Sequence, residues 1–130
     1  MSTIFTKIVN REIPAYIIHE DQNHLAFLDV NPIKFGHTLV IPKIETDYIF
    51  DLDSERFQAL FAFSREVAIL LRNVIPCKKI GVTVIGLEVP HAHIHLIPIN
   101  SLNAMNFTNE KLRLNSDEAE HLVKKIKNIH

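Results

Sequence analysis

The chain has 130 residues, 47% of them hydrophobic and 22% charged, which suits one soluble globular domain with its own core and excludes a disordered segment. A formal charge of -1 gives it no electrostatic reason to grip a nucleic-acid polymer or an anionic membrane, so any phosphate it holds is expected to belong to a small molecule. Its single cysteine, Cys77, excludes an intramolecular disulfide and fits a reducing compartment; with no apolar run of membrane-spanning length and no secretory pattern at the start, a cytoplasmic location is expected.

Ser2 or Thr3 is placed to cap a short helix over Ile4, Phe5 and Ile8, whose spacing puts apolar groups on one side; it stops by Glu12 to Pro14. On periodicity alone these three residues are core. Residues 16–19 and 25–30 read as two strands around the polar turn 20–23, and residues 37–41 as a third, opened by Gly36 and closed by Pro42. Asp29, before Asn31 and Pro32, reads as a turn former. From 53 to 75 apolar residues recur three and four apart, with Asp53 or Ser54 as cap and Pro76 as stop, and this predicts the main helix. Residues 79–86 follow as a strand. The stretch 100–115 is polar, with Met105 and Phe107 as isolated apolar anchors, and could pack beside an active site or across a subunit boundary. Residues 115–129 predict a last amphipathic helix, started by Asn115 and Glu118 and ended by Lys124, Lys125 and Lys127. This order implies an α+β fold: about five mainly antiparallel strands, one long helix, a short N-terminal helix and a C-terminal helix, in a single domain over 1–130.

The remaining stretch, 89–100, holds three of the chain's eight histidines. On a β-strand, alternation puts His91, His93, His95 and Ile97 on one face and Ala92, Ile94 and Leu96 on the other. Adjacent imidazoles then start about 6.5 Å apart and the outer pair about 13 Å apart. Four readings fit such a row. It is the polar side of an edge strand, a zinc site, a proton-sensing row, or a catalytic row around a nucleophilic imidazole. Three in-line histidines do not easily reach one ion, which weighs against zinc.

His91-Ala-His-Ile-His-Leu-Ile fits the pattern His-φ-His-φ-His-φ-φ, with φ hydrophobic, and other blocks precede it in order. These are Thr3-Ile-Phe-Thr-Lys-Ile-Val, Glu12-Ile-Pro-Ala, Leu25-Ala-Phe-Leu-Asp-Val-Asn-Pro and Gly36-His-Thr-Leu-Val-Ile-Pro-Lys. Over residues 3–98 the chain resembles the histidine triad (HIT) superfamily of nucleotide hydrolases and transferases, above all the branch that hydrolyses nucleoside phosphoramidates; 99–130 is then a C-terminal extension.

The resemblance implies a role for each matching residue. His93 is the nucleophile, attacking the α-phosphorus of a purine nucleotide through Nε2, while the His91 carbonyl holds its Nδ1–H. His95 donates to a non-bridging phosphate oxygen, and His91 and His37 complete the imidazole network. Ile4, Phe5 and Ile8 line the nucleobase pocket, Phe27 and Leu39 join them among the nucleotide-binding residues, Asp29 accepts from the ribose hydroxyls, and Gly86 and Glu88 stand where relatives bind phosphate. His19, His24, His121 and His130 match nothing and are expected on the surface. No metal or other cofactor is required by this scheme. Zinc-binding members carry Cys-x-x-Cys where this chain has Thr3 and Thr6, and hydroxyls do not replace thiolates, so that structural zinc site is expected to be absent. A small-molecule nucleotide is the implied substrate, and a homodimer through the long helix and an edge strand the implied assembly.

The chain departs from those relatives just before the triad. They have an Asn and a longer loop ending in Gly-Gln-Ser or Gly-Gln-Thr; here stands the shorter Gly86-Leu-Glu-Val-Pro. Leu87 has no hydrogen-bonding side chain, and an ionised Glu88 repels phosphate. Backbone N–H groups at 86–88 remain as donors, and Glu88 is either an acid of raised pKa for a leaving amine or a surface charge turned away. Besides a phosphoramidate or dinucleoside polyphosphate hydrolase, the residues admit a nucleotidyl transferase or phosphorylase, and a regulatory nucleotide-binding protein with little turnover.

Overall fold

Every residue of β2 (His24–Leu28) and β3 (Thr38–Pro42) is buried, because alternate side chains serve different cores on the two faces of one sheet. The computed structural model describes residues 2–128. In it β1 (Ile17–Glu20), β2, β3, β4 (Lys79–Thr83) and β5 (Ile94–Ile99) form a five-stranded sheet in the order β1-β2-β3-β5-β4. All neighbouring strands are antiparallel. The expected α+β architecture is thus present.

The larger core lies between the sheet and two helices, α2 (Ser54–Val74) and α3 (Ser116–Lys127). Ala26, Leu28, Val40, Ile94 and Leu96 meet Leu60, Phe63, Val67 and Leu71 there. Each fully buried aliphatic side chain contributes about 1.5–3 kcal/mol. The smaller core, on the opposite pleat, places Phe5 and Ile8 of α1 (Ile4–Val9) over Leu25, Phe27, Leu39 and Ile41. The helix starts are set by side-chain caps: Thr3 accepts from Thr6 N–H, Asp53 from Arg56 N–H, and Asn115 from the N–H groups of Asp117 and Glu118.

The strands differ from expectation at their ends. β4 stops at Thr83 and not at Gly86, and the histidine strand begins only at Ile94, so His91 and His93 precede it. The reason is the loss of a ladder partner. β3 pairs with β5 only through Thr38, Leu39 and Val40, while Ala92 N–H turns to the Thr46 carbonyl at 2.6 Å and His91 N–H closes on the Val89 carbonyl at 2.8 Å.

Short 3-10 turns at Ile49–Asp51 and Leu102–Met105 complete the chain, and the second sits against β4. A Cβ on Gly81 would lie 2.6 Å from Met105 Sδ, so the thioether occupies space that a side chain would claim. Gly36, at φ +91°, makes the turn into β3 that an L side chain resists, with Ile75 filling the place of its missing Cβ. Among the described residues no helix is long and apolar enough to cross a membrane.

Candidate functional site

Register carries His95 to the middle of the sheet. A cross-strand row of Phe27, Leu39, His95 and Thr83 runs over β2, β3, β5 and β4, on the face that also holds α1. Gly36 delivers His37 beside that row, where it is buried to 1% exposure.

The hydrogen bonds settle which ring nitrogens carry protons when the rings are neutral. Ile33 N–H donates to His37 Nδ1 at 3.2 Å, so the His37 proton is on Nε2, which donates to His95 Nδ1 at 2.9 Å. An accepting Nδ1 leaves the His95 proton on Nε2. His93 runs the opposite way: its Nδ1–H donates to the His91 carbonyl at 2.7 Å, leaving a lone pair on Nε2. Among the described residues neither of these two Nε2 atoms has a hydrogen-bond partner, and no polar side-chain atom sealed from solvent is left unbonded. Both nitrogens therefore open outwards, one as donor and one as lone pair, and both residues line the same cavity of about 220 Å³.

Two carboxylates, Asp29 and Glu88, and one ammonium, Lys111, line that cavity, but two of its imidazoles are held uncharged. Burial is the main cause that lowers His95 to about 3 and His37 to about 4, followed by the neighbouring His93 charge for the first and by Lys111 for the second. Both rings are neutral at physiological pH. Asp29 reaches the cavity just past β2. One carboxylate oxygen accepts from Asn31 N–H at 2.9 Å, which is the expected turn; the other lies 3.8 Å from His37 Nε2, too far for a hydrogen bond. Gly86 and Glu88 also line the cavity, so Glu88 belongs to its wall while remaining exposed.

The other residues singled out by sequence sit behind this cavity. Phe5, Ile8, Phe27 and Leu39 are buried together, with the Phe5 ring edge-on to His93 at 5.0 Å and to Phe27 at 5.5 Å. Ile4 is 51% exposed on the outer side of α1. His91 departs from expectation: its ring makes no hydrogen bond to another imidazole. Its Nε2–H donates to the Pro42 carbonyl at 2.8 Å, which fixes Nδ1 as acceptor for the Thr3 hydroxyl at 3.1 Å. Thr3 N–H and the Thr6 hydroxyl both donate to Glu45, at 2.8 and 2.7 Å, and in that order hold its carboxyl down to about 2. Two hydroxyls already engaged in this way, with one imidazole and one carboxylate, are not a zinc donor set.

Sequence reading missed Ile85 and Lys111 as contributors to the cavity wall; Leu87, noted there only for lacking a donor, lines it too, and Phe107 takes the place beside the site that was one of two expected for its stretch. The Phe107 ring stands edge-on to His95 at 4.9 Å and to His37 at 6.0 Å. Its isolation in a polar stretch was the available signal; Lys111 had none. The histidines outside the site also divide. His121 is exposed as expected, but His24 is buried, stacked on Phe63 and bonded to Asp21 at 2.9 Å, and His19 stacks on the same ring. His130 lies outside the described residues.

A larger cavity of about 380 Å³, between Asn23, Lys43, Asp53 and Arg56, contains none of the histidine row. Size does not decide the site; the open imidazole nitrogens do.

The HIT domain family matches residues 10–102. An uncharacterized HIT-like protein of Borreliella burgdorferi is 35% identical over 102 residues, covering 73% of each chain. In three dimensions the chain is similar to a Zn-bound histidine triad family protein of Mycobacterium smegmatis, with TM-score 0.83, 27% identity and 99% and 96% of the two chains covered. It is also similar to a hypothetical histidine triad nucleotide-binding protein of Sulfolobus tokodaii, with TM-score 0.80, 25% identity and 95% and 89% covered.

Proposed function

The chain belongs to the HIT domain family, whose members are commonly nucleotide hydrolases or transferases, and from that premise we propose that it is a nucleotide hydrolase working through a nucleotidyl-histidine. Its substrate is a nucleoside phosphoramidate or a dinucleoside polyphosphate, from which it releases a nucleoside monophosphate. The observation that carries this reading is the His93 ring, clamped through Nδ1–H by the His91 carbonyl at 2.7 Å, with an unbonded Nε2 lone pair and a place in the cavity wall beside His95.

In the first step Nε2 of His93 forms a bond to the α-phosphorus while the bond from phosphorus to the leaving nitrogen or oxygen breaks. The leaving group takes the bonding pair and, where it is an amine, a proton from solvent, which is returned when the attacking water of the second step loses one. In the second step water attacks the same phosphorus, the histidine-phosphorus bond breaks, and neutral imidazole returns. His95 Nε2–H donates to a non-bridging oxygen whose charge grows in both steps, and His37 keeps that proton in place through its 2.9 Å bond. Asp29 accepts from the ribose, and the apolar group of Phe5, Ile8, Phe27 and Leu39, flanked by Ile4, backs the base. No metal or cofactor takes part. Homodimer formation through β4, whose Val82 is exposed at the sheet edge, and α2, whose Ile69 is exposed, belongs to the same proposal, as does a cytoplasmic location.

The test is a quench of the protein with adenosine and guanosine phosphoramidates, read by mass spectrometry of the intact chain. An adduct heavier by one nucleoside monophosphate, lost in His93→Ala, is the expected result. Turnover without any adduct, or in His93→Ala, would overturn the assignment. A second reading, a nucleotide-binding regulatory protein with little turnover, is favoured by the 86–90 loop, in which no neutral side chain can donate to phosphate. Resolution of the adduct by phosphate instead of water would make the protein a phosphorylase.

A further inference from the structure

Resting on the nucleotide reading above, we propose that Lys111, from the segment after the histidine strand, is the phosphate-binding cation of this site.

The cavity needs one. His37 and His95 are neutral, Asp29 and Glu88 line it with carboxylates, and the 86–90 loop lends no donor side chain. Lys111 is the only lysine or arginine among the residues that line it. An anionic phosphate entering without it meets two like charges and no opposite one.

Its position is built. Leu112 N–H donates to the Pro32 carbonyl at 2.8 Å and Leu114 N–H to the Val30 carbonyl at 3.2 Å, which ties the segment to the turn that follows Asp29. The Lys111 ammonium donates to the Phe107 carbonyl at 3.0 Å and lies 5.4 Å from the centre of the Phe107 ring, whose edge meets His95. One carbonyl uses one of the three ammonium protons, leaving two for phosphate oxygens. Burial is what holds the His37 and His95 pKa values down, and the Lys111 charge acts in the same direction, more on His37 than on His95.

The experiment compares binding of adenosine 5′-monophosphate and adenosine, and of the guanosine pair, to the full chain and to Lys111→Met and Lys111→Arg, at low and high salt. Lys111→Met keeps the aliphatic cover over Phe107. It is expected to weaken the monophosphates by about ten- to a hundredfold, the range of one charge-assisted hydrogen bond, while leaving the nucleosides within about twofold. The salt dependence of monophosphate binding should shrink in Lys111→Met, and Lys111→Arg should restore most of the affinity. Unchanged monophosphate binding, or equal loss for nucleoside and monophosphate, overturns the proposal and leaves the hydrolase reading standing. If the unmodified chain binds neither class, the hydrolase reading fails and takes this one with it.

Discussion

His91 and His93 stand two residues apart with the same side chain, and their surroundings give them opposite work. His91 is enclosed: Pro42 takes its proton, Thr3 fills its lone pair, and Glu45 holds the threonines. His93 has one nitrogen held and the other open to a cavity. The lesson is that an imidazole row is not uniform in chemistry. A ring with both nitrogens satisfied fixes backbone, and here the backbone it fixes is the carbonyl that orients its neighbour.

The sharpest way to break this division is to remove each ring in turn. His93→Ala should lower turnover by about four orders of magnitude or more and abolish the adduct, with the fold retained by circular dichroism and much of the nucleotide affinity kept. His91→Ala should act first on the fold, costing about 2–4 kcal/mol in urea unfolding, because a fully buried ring with two partners is lost. If His91→Ala left stability unchanged and matched His93→Ala in turnover, the two rings would not be divided as described.

A pH titration sharpens the comparison from the cavity side. The folded pKa values of His37 and His95, about 4 and about 3, lie below the unfolded value of about 6.5, so the folded state binds fewer protons. Stability is therefore full above about pH 6.5 and declines as pH falls towards 4 and then 3. Urea midpoints at pH 7.5 and 4.5 should differ in that direction, and the difference should shrink in His37→Gln. A midpoint that rises on acidification would contradict the buried, neutral pair.

The smallest effect concerns Asp29. Asp29→Ala should weaken ribonucleotides more than their 2′-deoxy analogues, by about three- to tenfold, because only the ribonucleotides lose a 2′-hydroxyl partner. Equal loss in competition binding would mean that the carboxylate serves its turn and not the sugar.

The helices were the most legible part of the sequence. Asp53 and Asn115 cap α2 and α3 where the spacing placed them, because both the cap and the apolar period are local signals. The strands were legible in number and in facing, with Ala92, Ile94 and Leu96 in the helix-side core as alternation required. Their ends were not, since alternation marks an extended chain but says nothing of whether a neighbour bonds to it. The 91–93 segment is extended without belonging to the sheet for that reason. In the site, the histidines and Asp29 were visible in sequence. Lys111 was not assigned, and Phe107 only as an anchor with two possible places, because the 100–115 stretch has no period and is held by contacts distant in sequence, among them backbone bonds to residues 30 and 32. His24 escaped because its burial depends on Phe63, nearly forty positions along the chain.

Gly81 has no reacting atom near it, yet it sits under the arm that carries Phe107 and Lys111. Met105 nests where any larger residue at 81 would put its first carbon. An alanine here would make the flexible Met105 thioether swing aside, and whatever part of that shift the chain passes on would reach Phe107 and Lys111. Variation at an outer strand could in this way retune the histidine-lined pocket from a distance, without altering a single residue that lines it.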